Sequence, residues 1–146
     1  ALARYWPGTG KMEVLVGGHL PPLWIGTGNV RPVACIAGMS LGVTPDARYR
    51  KSEIRLGPGD SVLFYTDGVI EAQNERAEFW GNRRLTDFIA GSKGPPWGQS
   101  LLESVRSWQG DACPADDITL LEIWRDWESE QAHCLRPPDP PRQSTP

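Results

Sequence analysis

No apolar stretch in this 146-residue chain approaches the roughly twenty residues that a membrane-spanning helix needs, and no charged-then-apolar leader opens it. Histidine is scarce, with two residues, and the three cysteines (Cys35, Cys113 and Cys134) share no short CxxC-type spacing. Neither a disulfide framework nor a zinc site is suggested, and a reducing cytoplasm is the expected setting. A net charge of -3 leaves no electrostatic footprint for nucleic acid or an anionic membrane. No internal repeat is visible. What the chain has in quantity is punctuation: 16 glycines and 14 prolines, against a hydrophobic content of 39%. Such a balance favours short strands and turns over a helical bundle. The length suits one domain with a real core, in which most of the seven tryptophans are expected to pack.

Along the chain, Met12 to Val16 and Leu23 to Gly26 read as short strands, with Val30 to Ala34 returning as a hairpin partner. Gly26-Thr27-Gly28 superficially suggests a phosphate loop. It lacks a third glycine and a following helix, so a hairpin turn is the better reading. Gly38 to Asp46 is a loop rich in Gly, Ser and Pro. Ser52 to Leu56 alternates polar and apolar residues, as a half-exposed strand does. Beyond the Gly57-Pro58-Gly59-Asp60 turn, Ser61 to Thr66 is a nearly continuous apolar run, the pattern of a strand covered on both faces. Helical spacing then appears over Asn82 to Ala90 and Ser100 to Trp108, with Asn82 as an N-cap for the first. Ile118 to Trp124 is the last strand. From about Asp126 the chain is polar and then proline-rich, and positions 126–146 are expected to be a disordered tail. The PxxPx(Arg) spacing of Pro137 to Arg142 belongs to that composition.

Two acidic motifs about fifty residues apart carry the chemistry. Leu63-Phe64-Tyr65-Thr66-Asp67-Gly68 is an apolar run ending in Asp-Gly, and Ala115-Asp116-Asp117-Ile118-Thr119 is a carboxylate pair leading into another strand. Each sets a carboxylate at the end of a buried strand. Brought together, they would make an oxygen-rich site for a hard divalent cation such as Mg²⁺ or Mn²⁺. Taken singly, Asp67-Gly68 is also a common turn pair, and Asp116-Asp117 is also a solvated loop bonding to its own backbone. His19, in a Gly/Pro loop, is open to a structural reading, and Glu71 to that of a solvated charge.

In order and spacing, the series Gly18-His19-Leu20-Pro21-Pro22-Leu23, Ser40 to Asp46, Leu56 to Asp60, Phe64 to Ala72 and Ala115 to Leu121 resembles the C-terminal portion of a bacterial PPM-type serine/threonine phosphatase. The branch is that of the stage II sporulation protein E and sigma-factor regulatory phosphatases. The resemblance runs from about Ala3 to Arg125, so that 1–125 is expected to be the C-terminal portion of such a domain. It implies an α+β fold, an incomplete α/β/β/α sandwich of two antiparallel sheets with flanking helices. It further implies that Asp67 and Asp116 are metal ligands, with Gly68, Asp117 and His19 as supporting or weaker candidates. The intact family uses two Mn²⁺ or Mg²⁺ ions, of which this chain alone would hold at most one. The expected substrate is a phosphoprotein, for example an anti-sigma-factor antagonist.

Two departures stand out. The sequence contains no Asp-x-x-Gly-His-Gly, the early family motif whose aspartate and glycine help to hold the metals, and Val16-Gly17-Gly18-His19 stands where Asn-Ala-Gly-His is more usual. The expectation is therefore a chain with half of the sandwich and half of the site. The competing class of function is a catalytically inactive regulatory or protein-binding module, associating, as a dimer for instance, through exposed strand edges. An unrelated two-metal nuclease is disfavoured by the absence of clustered basic residues.

Overall fold

The computed structural model of the chain describes residues 1–126. Seven strands form two antiparallel sheets. Strands β1 (Leu2–Trp6), β2 (Lys11–Leu15) and β5 (Lys51–Arg55) lie in the order β1-β2-β5. Strands β3 (Leu23–Gly26), β4 (Asn29–Pro32), β6 (Ser61–Tyr65) and β7 (Leu120–Trp124) lie in the order β4-β3-β6-β7. Three helices, α1 (Asp67–Ile70), α2 (Gly81–Gly91) and α3 (Gly98–Gln109), separate β6 from β7 in sequence.

The alternation of side chains along β6 divides the core in two. Leu63 and Tyr65 face the helices, in a cluster with Leu23, Ile25, Val69, Trp80, Leu85, Ile89, Trp97, Leu101 and Val105. Val62 and Phe64 face the other sheet, in a cluster with Met12, Val14, Val16 and Leu56. All five residues of β6 are buried, as its nearly continuous apolar run predicts. The order of layers is helices, four-stranded sheet, three-stranded sheet, which is the α+β fold expected from the sequence. On the outer face of the three-stranded sheet lie Lys11, Glu13, Lys51 and Glu53, joined by ion pairs such as Lys51–Glu13 at 2.7 Å and Lys11–Glu53 at 2.9 Å. Arg4 stacks on Trp6 at 4.5 Å on the same face.

Several local readings need correction. Strand β1 was not expected: Leu2-Ala3-Arg4-Tyr5-Trp6 carries one inward aromatic, Tyr5, and is fixed by pairing along all of β2, from Leu2↔Leu15 to Trp6↔Lys11. Asn82 does not cap α2. The cap position is Trp80, without a side-chain cap hydrogen bond, and the helix begins at Gly81. The buried Trp80 side chain anchors this approach, and Gly81 takes the positive φ of 77° that the bend requires. Helix α3 likewise begins earlier, at Gly98, and the Ser100 hydroxyl donates to the Trp97 carbonyl at 3.0 Å. Gly26 to Asn29 is the tight turn of the β3–β4 hairpin, with no helix after it. The tail expected over 126–146 lies, from residue 127 onward, outside the described residues.

Candidate functional site

Strand β6 is pinned from both faces, so the residues just beyond Tyr65 leave a rigid support. Thr66, Asp67 and Gly68 turn there into the four-residue helix α1. The β6–β7 ladder runs from Ser61↔Trp124 to Tyr65↔Leu120, which places the residues before β7 beside those after β6. The two acidic motifs, distant in sequence, therefore meet at one end of the sheet.

Gly68 is the point of closest approach. It is buried, and a Cβ there would stand 2.5 Å from the Asp117 carbonyl oxygen and 3.4 Å from the Asp116 carbonyl carbon. Both obstacles are backbone, so no side chain can swing aside to make room. Glycine at 68 is thus what lets the turn carrying Asp67 lie against the loop carrying Asp116 and Asp117. The Thr66 hydroxyl binds the same loop, donating to the Asp117 carbonyl at 3.0 Å and accepting from the Thr119 N–H at 2.9 Å.

Each carboxylate is oriented by a bond to the next amide. Asp67 Oδ1 accepts from Gly68 N–H at 3.1 Å, and Asp116 Oδ1 from Asp117 N–H at 2.7 Å. Both aspartates and Asp117 are exposed, and among the described residues none of the three forms an ion pair. Glu71, four residues beyond Asp67, is exposed at the end of α1, where its amide donates to the Asp67 carbonyl at 2.8 Å.

His19 reaches the same region from the β2–β3 connection. A cavity of about 450 Å³ is lined by Gly18, His19 and Leu20 on one side, Ala37 and Gly38 on another, and Tyr65, Thr66 and Asp67 on a third. The loop is held by an exchange with Gly38: Gly18 N–H donates to the Gly38 carbonyl at 3.0 Å, and Gly38 N–H to the Val16 carbonyl at 2.8 Å. His19 Nδ1 lies 2.8 Å from the Leu20 carbonyl. Since a carbonyl only accepts, that nitrogen carries the proton and Nε2 is left for another partner. Val16, standing where asparagine is usual in the resembling family, is buried between the sheets, and Gly17 packs beside the Tyr49 ring, which a Cβ would meet at 2.9 Å. A larger cavity, about 610 Å³, lies at the other end of the sheet, between the β3–β4 turn and the α2–α3 connection. Its walls bring no carboxylates together, so size does not mark the site.

The donor set can be tested against a divalent cation. Two aspartates on a rigid support, oriented by backbone amides and uncompensated by any cation among the described residues, suit one hard ion whose remaining positions are filled by water. Among the described residues no three His, Cys, Asp or Glu side chains come together, so a two-ion cluster with bridging carboxylates does not fit these residues alone. The Thr66 clamp and the contact at Gly68 escaped the sequence reading, because no periodicity marks a tertiary hydrogen bond.

Comparison with known proteins follows the same lines. A curated relative, protein IcfG of Synechocystis, is 22% identical over 120 residues, covering 80% of this chain and 19% of its own length. The phosphatase domain of the cell fate determinant SpoIIE from Bacillus subtilis superposes with a TM-score of 0.63 at 18% identity, over 86% of this chain and 57% of that one. The RsbU and RsbW domains of a Mycobacterium tuberculosis protein superpose with a TM-score of 0.60 at 28% identity, over 81% of this chain and 33% of that one. The chain thus spans about a fifth of the curated relative and little more than half of the solved phosphatase domain. Residues 1–126 match the family model for stage II sporulation protein E (SpoIIE); with the two-sheet fold and the meeting of the acidic motifs, the chain belongs to that phosphatase family.

Proposed function

We propose that the chain carries the late half of a divalent-metal site for dephosphorylation of phosphoserine or phosphothreonine on a bacterial signalling protein, for example an anti-sigma-factor antagonist. The observation that supports this most is the contact of Gly68 with the Asp116–Asp117 backbone, which joins the two acidic motifs into one edge of negative charge. In this reading Asp67 and Asp116 hold one Mn²⁺ or Mg²⁺. When bound, such an ion supplies a water of lowered pKa and neutralises charge on the phosphoryl oxygens. The chain's own groups do the rest. Gly68 gives the two motifs room to meet, and Asp117 holds Asp116 in place through its amide. The cavity beside Asp67 receives the phosphoester, and His19 Nε2, left as an acceptor, is available to a hydroxyl or water there. Burial pushes the Tyr65 phenol above its ordinary pKa, so the phenol itself adds no negative charge to the cavity beside the Asp67 carboxylate.

A second reading, an inactive module that binds or regulates, is favoured by one observation: no third protein ligand joins the two aspartates among the described residues. Mn²⁺-dependent hydrolysis of p-nitrophenyl phosphate by the purified chain, beside Asp67→Asn and Asp116→Asn, separates the two. The enzymatic reading expects turnover that requires Mn²⁺ and disappears in both variants. A folded chain without turnover puts the binding module first.

A further inference from the structure

Thr66 stands at the N-cap of α1 with extended backbone, φ -85° and ψ 160°. A threonine in that position ordinarily turns its oxygen onto an amide of its own helix. Here no such bond forms; the first-turn amide of Gly68 is served by Asp67 instead. The Thr66 hydroxyl points across to the other acidic motif, and the local hydrogen bonding shows why.

Beyond Tyr65↔Leu120 the next pair of the ladder is Thr66 with Thr119. Facing residues of a hydrogen-bonded antiparallel pair exchange two N–H···O bonds. The first is present, Thr66 N–H to the Thr119 carbonyl at 3.1 Å. The second is altered, because the Thr66 carbonyl accepts from Val69 N–H at 3.1 Å as the chain turns into α1. The Thr119 N–H goes to Thr66 Oγ1 at 2.9 Å, so the hydroxyl stands in for the carbonyl that the helix has taken. The same hydroxyl then donates its own hydrogen to the Asp117 carbonyl at 3.0 Å, the oxygen that lies against Gly68. One side chain thereby carries the pairing one residue past Tyr65↔Leu120 and holds the backbone on which Asp116 and Asp117 stand.

We infer that Thr66 is a positioning residue: through Asp117 and Thr119 its hydroxyl holds the Asp116 carboxylate beside Asp67, so that both reach one divalent cation. This rests on the reading above that the two aspartates share an ion. Supporting groups of this kind typically contribute about tenfold to a hundredfold in metal affinity. Valine matches the shape of threonine without the hydroxyl, and serine keeps the hydroxyl.

The test is the Mn²⁺ dissociation constant of the whole chain, from the electron paramagnetic resonance signal of free Mn²⁺, for wild type, Thr66→Val, Thr66→Ala, Thr66→Ser and Asp67→Asn. Circular dichroism monitors folding. The expected result is affinity weakened about tenfold or more in Thr66→Val and Thr66→Ala, with Thr66→Ser near wild type and Asp67→Asn without saturable binding. Two hydroxyl-free variants are included so that loss of fold in one leaves the other to decide. Wild-type affinity in a folded hydroxyl-free variant overturns the role of Thr66 and leaves the shared site standing. No saturable binding by the wild type overturns the shared site and the role of Thr66 with it.

Discussion

Strand β5, Lys51–Arg55, alternates exposed and half-covered residues along its length, whereas β6, Ser61–Tyr65, is buried at every residue. Only the Gly57–Asp60 turn and Leu56 lie between them. The difference is one of neighbours. β6 has a strand on either side, helices over one face and the second sheet over the other. β5 is an edge strand whose outer face meets no layer among the described residues and carries charges paired with β2. A strand gripped on all sides can hold a charged side chain at its end with little freedom, and Asp67 stands two residues past the end of such a strand.

Substitutions on the two strands sharpen the contrast. Leu63 is fully buried on the helix side of β6, among Leu23, Val69 and Leu101. Leu63→Ala is expected to lower unfolding free energy by about 2–5 kcal/mol in a urea titration. Arg55→Ala, on the exposed face of β5, is expected to change it by no more than about 0.5 kcal/mol. Comparable losses at the two positions would mean that β5 is covered in solution by a partner. The smallest effect is the pH dependence of the outer face. The hydrogen bond from Lys51 holds the Glu13 carboxylate below its ordinary 4.5, with a lesser contribution from Lys11. A folded pKa below the unfolded value stabilises above the unfolded pKa, and that stabilisation is lost as pH falls through the folded pKa. The melting temperature of the wild type should therefore exceed that of Glu13→Gln slightly at neutral pH, and the gap should close below pH 4.5. A gap that persists in acid would show that Glu13 acts by packing rather than charge.

Much of this contrast was legible in the residues. The nearly continuous apolar run from Ser61 to Thr66 announced a strand covered twice, and the alternation from Ser52 to Leu56 a strand covered once. Asp67 was legible because it follows such a strand; the strand after Asp116 was also expected to be buried, but β7 is an edge strand with no fully buried residue. What could not be read was what depends on contacts across the chain. β1 exists because β2 offers it a partner along its whole length, and Arg4 in its middle hides it from any hydropathy pattern. The start of α2 follows the buried Trp80 and not the better local cap at Asn82. The Thr66 hydroxyl serves a residue 51 positions away in preference to its own helix.

The most direct test of the shared site is paramagnetic. In a ¹⁵N-labelled chain titrated with substoichiometric Mn²⁺, the amide signals of Gly68 and Asp117 should broaden together, while those of Thr27 and Lys93, on the cavity at the other end of the sheet, stay sharp. Broadening confined to one acidic motif, or found first at Thr27 and Lys93, would contradict a single site built from Asp67 and Asp116.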